Sequence, residues 1–467
     1  MNGTDSRVER FLASLNGKHI TFCGIGRSNA PSAELFASHG AKITVCDRRS
    51  REEMGEMGDR MEKIGATFHL GADYLSNLDG DIIFRTPGMP FFTPELTDAR
   101  RRGLSVTSEM EMFFELCPCP IYAITGSNGK TTTSTILAEF FRAQGKNVHL
   151  GGNIGVALLP EIETIQPDDV AVVELSSFQL ISMRQGPQVA VITNITPDHL
   201  DMHKDMEEYV NAKKNIFLHQ NAFSQTILNA DNPLTASFVP EVRGFAQQFS
   251  RRHAVENGTW LRSDGMLIYS RNGCNTELFP ASDILIPGGH NIENFLAAIA
   301  AAWGMVSIDT MHKVAKTFHG VEHRAEFVRE LHGVRYYNDS IATTPSKAIY
   351  GMLSMFPQKL ILLAGGYDKL IPFDPLGPIV VEKVCRLILF GATADKIEAA
   401  VRNAEGYREG CPEIYRVQNM GEAVQKAYEL AQPGDIVALS PACASFDQFP
   451  SYTVRGREFK QMIANLR

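Results

Sequence analysis

The chain is poor in the features that mark several large classes of protein. It has no excess of positive charge: 45 Lys and Arg stand against 53 Asp and Glu, a net charge of −8, which argues against nucleic acid as the main partner. It has no long apolar run. The longest apolar helix candidate, Phe295 to Val306, is too short to span a bilayer, and the opening MNGTDSRVER lacks the apolar core of a signal peptide, so a cytoplasmic protein is expected. Its eight cysteines are scattered, and Cys23, Cys46 and Cys385 sit inside apolar strand patterns, as reduced buried thiols do. The one close pair, Cys117-Pro-Cys119, has no second pair at zinc-site spacing. Low-complexity runs and short repeats are also missing. What remains is a chain of 467 residues, 44% apolar and 21% charged, long enough for about three domains.

The most informative stretch is IYAITGSNGKTTT, from Ile121 to Thr133. It has the form of a buried strand, a glycine turn and a helix start. Gly126 and Gly129 let the backbone curl around a ligand, and the first free N–H groups of the helix attract phosphate. Lys130 adds a mobile charge for the terminal phosphates, and the hydroxyl of Thr131 or Thr132 is placed to ligate Mg²⁺. Ile124 stands where the first glycine of a full phosphate loop belongs, so the motif is a shortened G-x-x-G-K-T-T; a chance Gly-Lys-Thr turn is the bland alternative.

Upstream, two expected strands, His19 to Gly24 and Lys42 to Asp47, flank Gly24, Gly26 and a helical stretch, in the layout of a Rossmann-type site. Asn29 replaces its third glycine. Asp47 ends the second strand, where an acid could bind a ribose hydroxyl; a bare α/β fold with solvated charges explains the same residues. A later strand, Asp81 to Thr86, runs into Thr86-Pro87-Gly88, a turn at a ligand-contacting strand end.

Downstream, Asp169 to Leu175 and Gln188 to Asn194 are near-continuous apolar runs ending in polar residues, as buried parallel strands do. In an open parallel sheet these strand ends share an edge with the phosphate loop, so Glu174 and His199 are expected to converge on a metal near Lys130; a strand-end acid paired with a nearby base and a satisfied surface histidine are the bland alternatives. A helix from Met206 to His219 carries Lys213 and Lys214, a pair that usually marks a solvated face. Thr259 to Tyr269 and Thr276 to Phe279 read as hairpin strands. Asn291 and Asn294 share one face of a following helix and could reach an adenine edge; an N-cap with a polar neighbour is the other explanation. In the last third, strands ending at Asp339, at Gly365-Gly366 before Lys369, and at Ser440 again alternate with helices.

The stretches TGSNGKTT, GGNIG, ELSSFQL, NITPDHLD, HNIEN, HRAE, NDSIATTP, GGYDK and LSPACASFDQF, in that order, resemble the Mur ligases. Within that family the last motif, with NDSIATTP and GGYDK, resembles the members that add D-glutamate to UDP-N-acetylmuramoyl-L-alanine. The resemblance implies an α/β protein of three domains: a Rossmann-like UDP-substrate domain (1–117), a P-loop ATPase-like central domain with a mostly parallel sheet (118–320), and a Rossmann-like amino-acid domain (321–467). It implies ATP and two Mg²⁺ ions as cofactors, small-molecule substrates only, a monomer, and amide formation through an acyl phosphate. By the same resemblance Gly126, Ser127, Asn128, Gly129, Lys130, Thr131, Thr132, Asn291, Asn294, Arg324 and Asp339 would bind ATP. Thr131 and Glu174 would hold one Mg²⁺ and His199 a second, close to a carbamylated Lys213, with Lys214 next door leaving that register open. Ser28, Asp47, Arg49, Thr86, Gly88, Asn153 and His199 would hold the UDP-linked acceptor. Thr343, Lys369, Ser445, Phe446 and Tyr452 would hold D-glutamate. Ile341 stands where many relatives carry lysine, and Tyr452 where phenylalanine is familiar.

Other classes fit part of the chain. A nicotinamide oxidoreductase would use Gly24, Gly26 and Asp47 but leave the phosphate loop without a purpose. A nucleotide-switched binding protein would use that loop without a second substrate. Folylpolyglutamate synthetases share the middle motifs, but the Rossmann-like first domain argues against them.

Overall fold

The computed structural model of the protein describes residues 6–26, 28–197 and 203–467. Among these residues strands and helices alternate, and three sheets form in which most neighbouring strands run parallel. The first sheet contains β1 (His19–Cys23), β2 (Lys42–Asp47), β3 (Thr67–Leu70), β4 (Ile82–Arg85) and β5 (Ser105–Thr107), in the order β3-β2-β1-β4-β5. The order reverses at β1, so a crevice opens at the carboxyl ends of β1 and β4, where open α/β sheets bind ligands.

The second sheet has nine strands: β6 (Ile121–Thr125), β7 (Val148–Gly152), β8 (Val170–Glu174), β9 (Val189–Ile192), β10 (Gln225–Asn229), β11 (Phe245–Ser250), β12 (Gly258–Leu261), β13 (Met266–Arg271) and β14 (Cys274–Pro280). Their order is β14-β13-β12-β11-β10-β9-β6-β8-β7. Strands β6, β8 and β9 are buried along their whole length. Among the described strands of this sheet only β12-β13 and β13-β14 pair antiparallel. Their turn corrects one expectation: Thr259 to Tyr269 is two strands, because Asp264-Gly265 breaks the run, with Gly265 at φ +88°.

The third sheet contains β15 (Glu326–Leu331), β16 (Val334–Asn338), β17 (Leu360–Ala364), β18 (Val384–Leu389), β19 (Glu413–Arg416) and β20 (Ile436–Leu439), ordered β15-β16-β20-β17-β18-β19. The residues divide into two compact units. One comprises 1–283 and 289–316; the other comprises 284–288 and 317–467. The first two sheets share a unit because one apolar core runs through both, from Val8, Phe22 and Phe36 to Ala123, Val173, Ile192 and Phe217. In the second unit apolar side chains cover both sheet faces, Leu362, Leu387 and Ala438 on one and Ile361, Leu363 and Val437 on the other. No helix among the described residues is long and apolar enough to cross a membrane.

Candidate active site

The phosphate loop is built where β6 meets the helix Lys130–Ala143. Gly126 has φ +146°, and a Cβ there would lie 2.0 Å from the Thr193 hydroxyl oxygen. That hydroxyl donates to the carbonyl of Asn128 at 2.5 Å, so it has nowhere to retreat. Gly126→Ala is therefore expected to distort the loop and raise the KM for ATP by about tenfold or more, since strain of this kind costs ~1–3 kcal/mol; steady-state kinetics with ATP varied checks it. Gly129, at φ +82°, caps the helix in the left-handed conformation. Ser127 donates to the Thr196 carbonyl at 2.9 Å and shares a 2.9 Å hydrogen bond with the Tyr209 hydroxyl. The Asn128 amide donates to the Asn194 side chain at 3.0 Å. The loop is thus held by the segment following β9.

Two lysines meet at one loop carbonyl. Lys130 Nζ donates to Gly126 O at 2.8 Å and Ser127 O at 3.0 Å. Lys213 Nζ donates to Gly126 O at 2.9 Å and lies 4.8 Å from the centre of the Tyr209 ring. The helix Met206–Leu218 buries Tyr209, Ala212, Lys213, Ile216 and Phe217, so Lys213 occupies its core stripe and is 2% exposed. Lys214 points elsewhere, pairing with Glu241 over the Phe238 ring.

Beside the lysines, the Thr131 hydroxyl donates to Glu174 Oε2 at 2.8 Å, and Asn153 Nδ2 donates to Glu174 Oε1 at 2.8 Å. Two of the expected metal residues, Thr131 and Glu174, and one expected acceptor residue, Asn153, therefore meet at the buried carboxylate at the end of β8. A hydroxyl and a carboxylate form a hard oxygen set that suits Mg²⁺. Among the described residues no cluster of three or more His, Cys, Asp or Glu could hold a metal unaided. The expected ligand His199 lies outside the described residues. Asn294 Oδ1 accepts from Thr133 at 3.2 Å, and its Nδ2 donates to Asn291 at 3.1 Å; the helix Gly289–Ala302 thus brings both asparagines to the start of the phosphate-loop helix. Thr132 follows on that helix, partly exposed.

Sequence reasoning missed His203. Its ring stacks on Phe178 at 5.0 Å, and its Nε2 shares a 2.9 Å hydrogen bond with the Ser177 hydroxyl. The capping box of Ser176 and Gln179 starts the helix Ser177–Leu180 and so presents Ser177 to it. The available signal was a second histidine four positions beyond His199.

At the crevice of the first sheet, Asp47 accepts from the Ile25 amide at 3.0 Å, from Arg49 Nε at 2.9 Å and from Arg49 Nη2 at 2.8 Å. Burial works against its charge, but these donors outweigh it and hold Asp47 below the usual carboxylate range. Arg49 also donates to the Ile25 carbonyl at 2.7 Å, so acid and base together brace the glycine turn. Asn29 explains the missing third glycine: its Nδ2 donates to the Gly24 carbonyl at 2.8 Å. A Cβ on Gly24 would lie 2.6 Å from Thr86 Cγ2, so this turn and the Thr86–Gly88 turn pack directly together. Ser28 leads into the helix Asn29–Ser38 at the same edge.

In the second unit Asp339 is fully enclosed, accepting from the Ala325 amide at 3.1 Å and the Ser440 hydroxyl at 2.7 Å. Burial is the largest influence and pushes it up to about 6. Exposed Arg324 and Lys347 pull the other way. A carboxyl whose pKa rises on folding binds more protons folded than unfolded, so stability should fall as pH climbs from about 4 to 6 and then level off. Asp339→Asn should remove that loss, gaining up to ~3 kcal/mol relative to the native chain above pH 6 and nothing below pH 4, as denaturant titrations at several pH values would measure. Arg455, also missed, is buried and ties two motifs together. It donates to Ser340 O at 2.8 Å, Cys443 O at 3.0 Å and Ala444 O at 3.1 Å. Thr343 and Lys369 line one small cleft with Tyr367 and Cys443. Ser445 is buried, whereas Phe446 is 63% exposed and packs edge-on to Tyr367. Tyr452 lies edge-on to His323, and its carbonyl accepts from the Ser340 hydroxyl at 2.8 Å.

Residues 124–302 match the model of the Mur ligase middle domain, and 323–443 match that of the Mur ligase glutamate ligase domain. The UDP-N-acetylmuramoylalanine--D-glutamate ligase of Acetivibrio thermocellus is 47% identical over 99% of both chains. The protein of the same name from Clostridium novyi is 44% identical over 98% of both. Among solved structures, the UDP-N-acetylmuramate-alanine ligase of Thermotoga maritima matches with a TM-score of 0.57 at 17% identity, over 96% of this chain and 99% of the other. A pseudomurein peptide ligase of Methanothermus fervidus matches with a TM-score of 0.55 at 18% identity, over 97% and 100%. These two likenesses establish the fold, and the full-length relatives establish the lineage: the chain belongs to the Mur ligase family.

Proposed function

We infer that the chain joins D-glutamate to UDP-N-acetylmuramoyl-L-alanine with the cleavage of ATP to ADP and phosphate, in the cytoplasmic stage of peptidoglycan synthesis. The observation that carries this is the convergence of Lys130 and Lys213 on the Gly126 carbonyl, beside the Thr131–Glu174–Asn153 chain. It is the arrangement a phosphoryl group needs next to a second substrate. Residues 1–117 would hold the UDP part through Ser28, Asp47, Arg49, Thr86 and Gly88. Residues 118–320 would bind ATP through the phosphate loop, Asn291 and Asn294, with Asn153 and His199 towards the acceptor. Residues 321–467 would add Arg324 and Asp339 to the nucleotide and hold D-glutamate through Thr343, Lys369, Ser445, Phe446 and Tyr452. The protein works as a monomer on small molecules.

A carboxylate is a poor acylating agent because oxide is a poor leaving group. One oxygen of the alanyl carboxylate attacks the γ-phosphorus of ATP, the bond to ADP breaks, and an acyl phosphate forms. The D-glutamate amine attacks the carbonyl carbon, a proton is lost, and phosphate departs with the oxygen that attacked. Lys130 supplies positive charge where the phosphoryl group passes. Thr131 with Glu174, and His199 with a carbamylated Lys213, would hold two Mg²⁺ ions, which when bound draw charge from the phosphates. Phosphate release with UDP-N-acetylmuramoyl-L-alanine and each of several amino acids tests the assignment. A requirement for D-glutamate is expected, and equal release with L-alanine or a diamino acid would move the chain to another branch of the family.

A further inference from the structure

The turn after β4 is clamped by an arginine. Arg85, the last residue of β4, is 2% exposed. Its Nη1 donates to the Met89 carbonyl at 2.8 Å and approaches the carbonyls of Thr86 at 3.3 Å and Pro87 at 3.5 Å. Its Nη2 donates to the Phe178 carbonyl at 2.9 Å and to the Ser182 hydroxyl at 3.3 Å. Ser182 donates onward to Glu111 Oε2 at 2.9 Å, which also accepts from Ser108 at 2.8 Å. Desolvation draws Arg85 down to about 10, so it stays charged at neutral pH. A buried cation is costly, and apolar packing alone would be served better by methionine. Its acceptors indicate what the charge is for. All belong to two segments, Thr86–Met89 and Phe178–Ser182, and residues of both, Pro87 to Met89 on one and Phe178 and Ile181 on the other, line one cavity of about 210 Å³ together with Phe92 and His203.

We propose that Arg85 is a positioning residue for the UDP-linked substrate, fixing the Thr86–Gly88 turn against the segment that follows Glu174 so that both ends of the substrate are registered at once. This rests on the reading that the Thr86–Gly88 turn holds the UDP part. Lysine keeps the charge but, with a single ammonium, spans one segment and not both.

The test compares Arg85→Lys and Ser182→Ala with the native enzyme, below their melting temperatures, with each substrate varied in turn. Arg85→Lys should raise the KM for UDP-N-acetylmuramoyl-L-alanine about tenfold, with the KM for ATP changed less than about twofold. Ser182→Ala should move in the same direction by a smaller factor, and it decides the matter if Arg85→Lys does not fold. A second readout uses N-acetylmuramoyl-L-alanine without its UDP. The penalty for omitting UDP should shrink in the variants, because the turn no longer registers the two ends. A lower melting temperature with native KM values, or three KM values rising alike, would reduce Arg85 to a packing role. Failure of the native enzyme to ligate would instead sink the functional reading itself.

Discussion

Lys130→Ala should leave the chain folded and lower kcat for ligation by about a thousandfold or more, since preorganised charge at a transferring phosphoryl group is worth that much. The ammonium sits inside the turn it serves, bonded to the carbonyls of Gly126 and Ser127. Its removal deletes two hydrogen bonds to backbone that the Asn194 and Thr196 contacts already hold, so the melting temperature should shift little. The charge itself has no substitute among the loop's own residues. Phosphate release and a thermal melt on the same preparation check both halves. Normal turnover would show that the loop is not where the phosphoryl group moves.

Lys213→Ala is expected to be nearly as damaging, with kcat down about a hundredfold, and to recover partly when a small carboxylate such as acetate is added. Lys214→Ala should stay within about threefold of the native rate, because that side chain pairs with Glu241 at the surface side of the same helix. The difference follows from helix geometry. Lys213 lies three residues before Ile216 and four after Tyr209, on the buried face, whereas Lys214 is turned away from it. If the Lys213 nitrogen carries CO₂, it presents a carboxylate to the phosphate loop, which a free carboxylate can imitate and a free amine cannot. Intact-protein mass spectrometry under CO₂ gives an independent readout. Carboxylate rescue of Lys214→Ala rather than of Lys213→Ala would move the register by one.

The sequence made legible those strands whose apolar runs end in polar residues. Strands β6, β8 and β9 and the turn between Gly126 and Lys130 follow from burial on both faces and from glycine at the ligand edge. Strand β11, FAQQFS, was not read as a strand, because Gln247 and Ser250 are buried there by neighbours distant in sequence. The short edge strands β3 and β19 have only half-buried and exposed positions and carry little signal. Within the site, Lys213 was legible in principle from the stripe Tyr209, Ala212 and Ile216. Arg85 and Arg455 were not, since an arginine is normally solvated and nothing local announces that loop carbonyls from a distant segment will surround it. Both are framework cations: each gathers carbonyls from two motifs that the chain itself keeps far apart.

The account turns on where the energy of ATP enters the reaction, and an isotope follows it directly. UDP-N-acetylmuramoyl-L-alanine labelled with ¹⁸O in its carboxylate, incubated with the enzyme, ATP, Mg²⁺ and D-glutamate, should deliver one ¹⁸O atom into inorganic phosphate for each amide bond made. Ligated product accompanied by unlabelled phosphate would contradict activation of that carboxylate by the nucleotide held at Lys130.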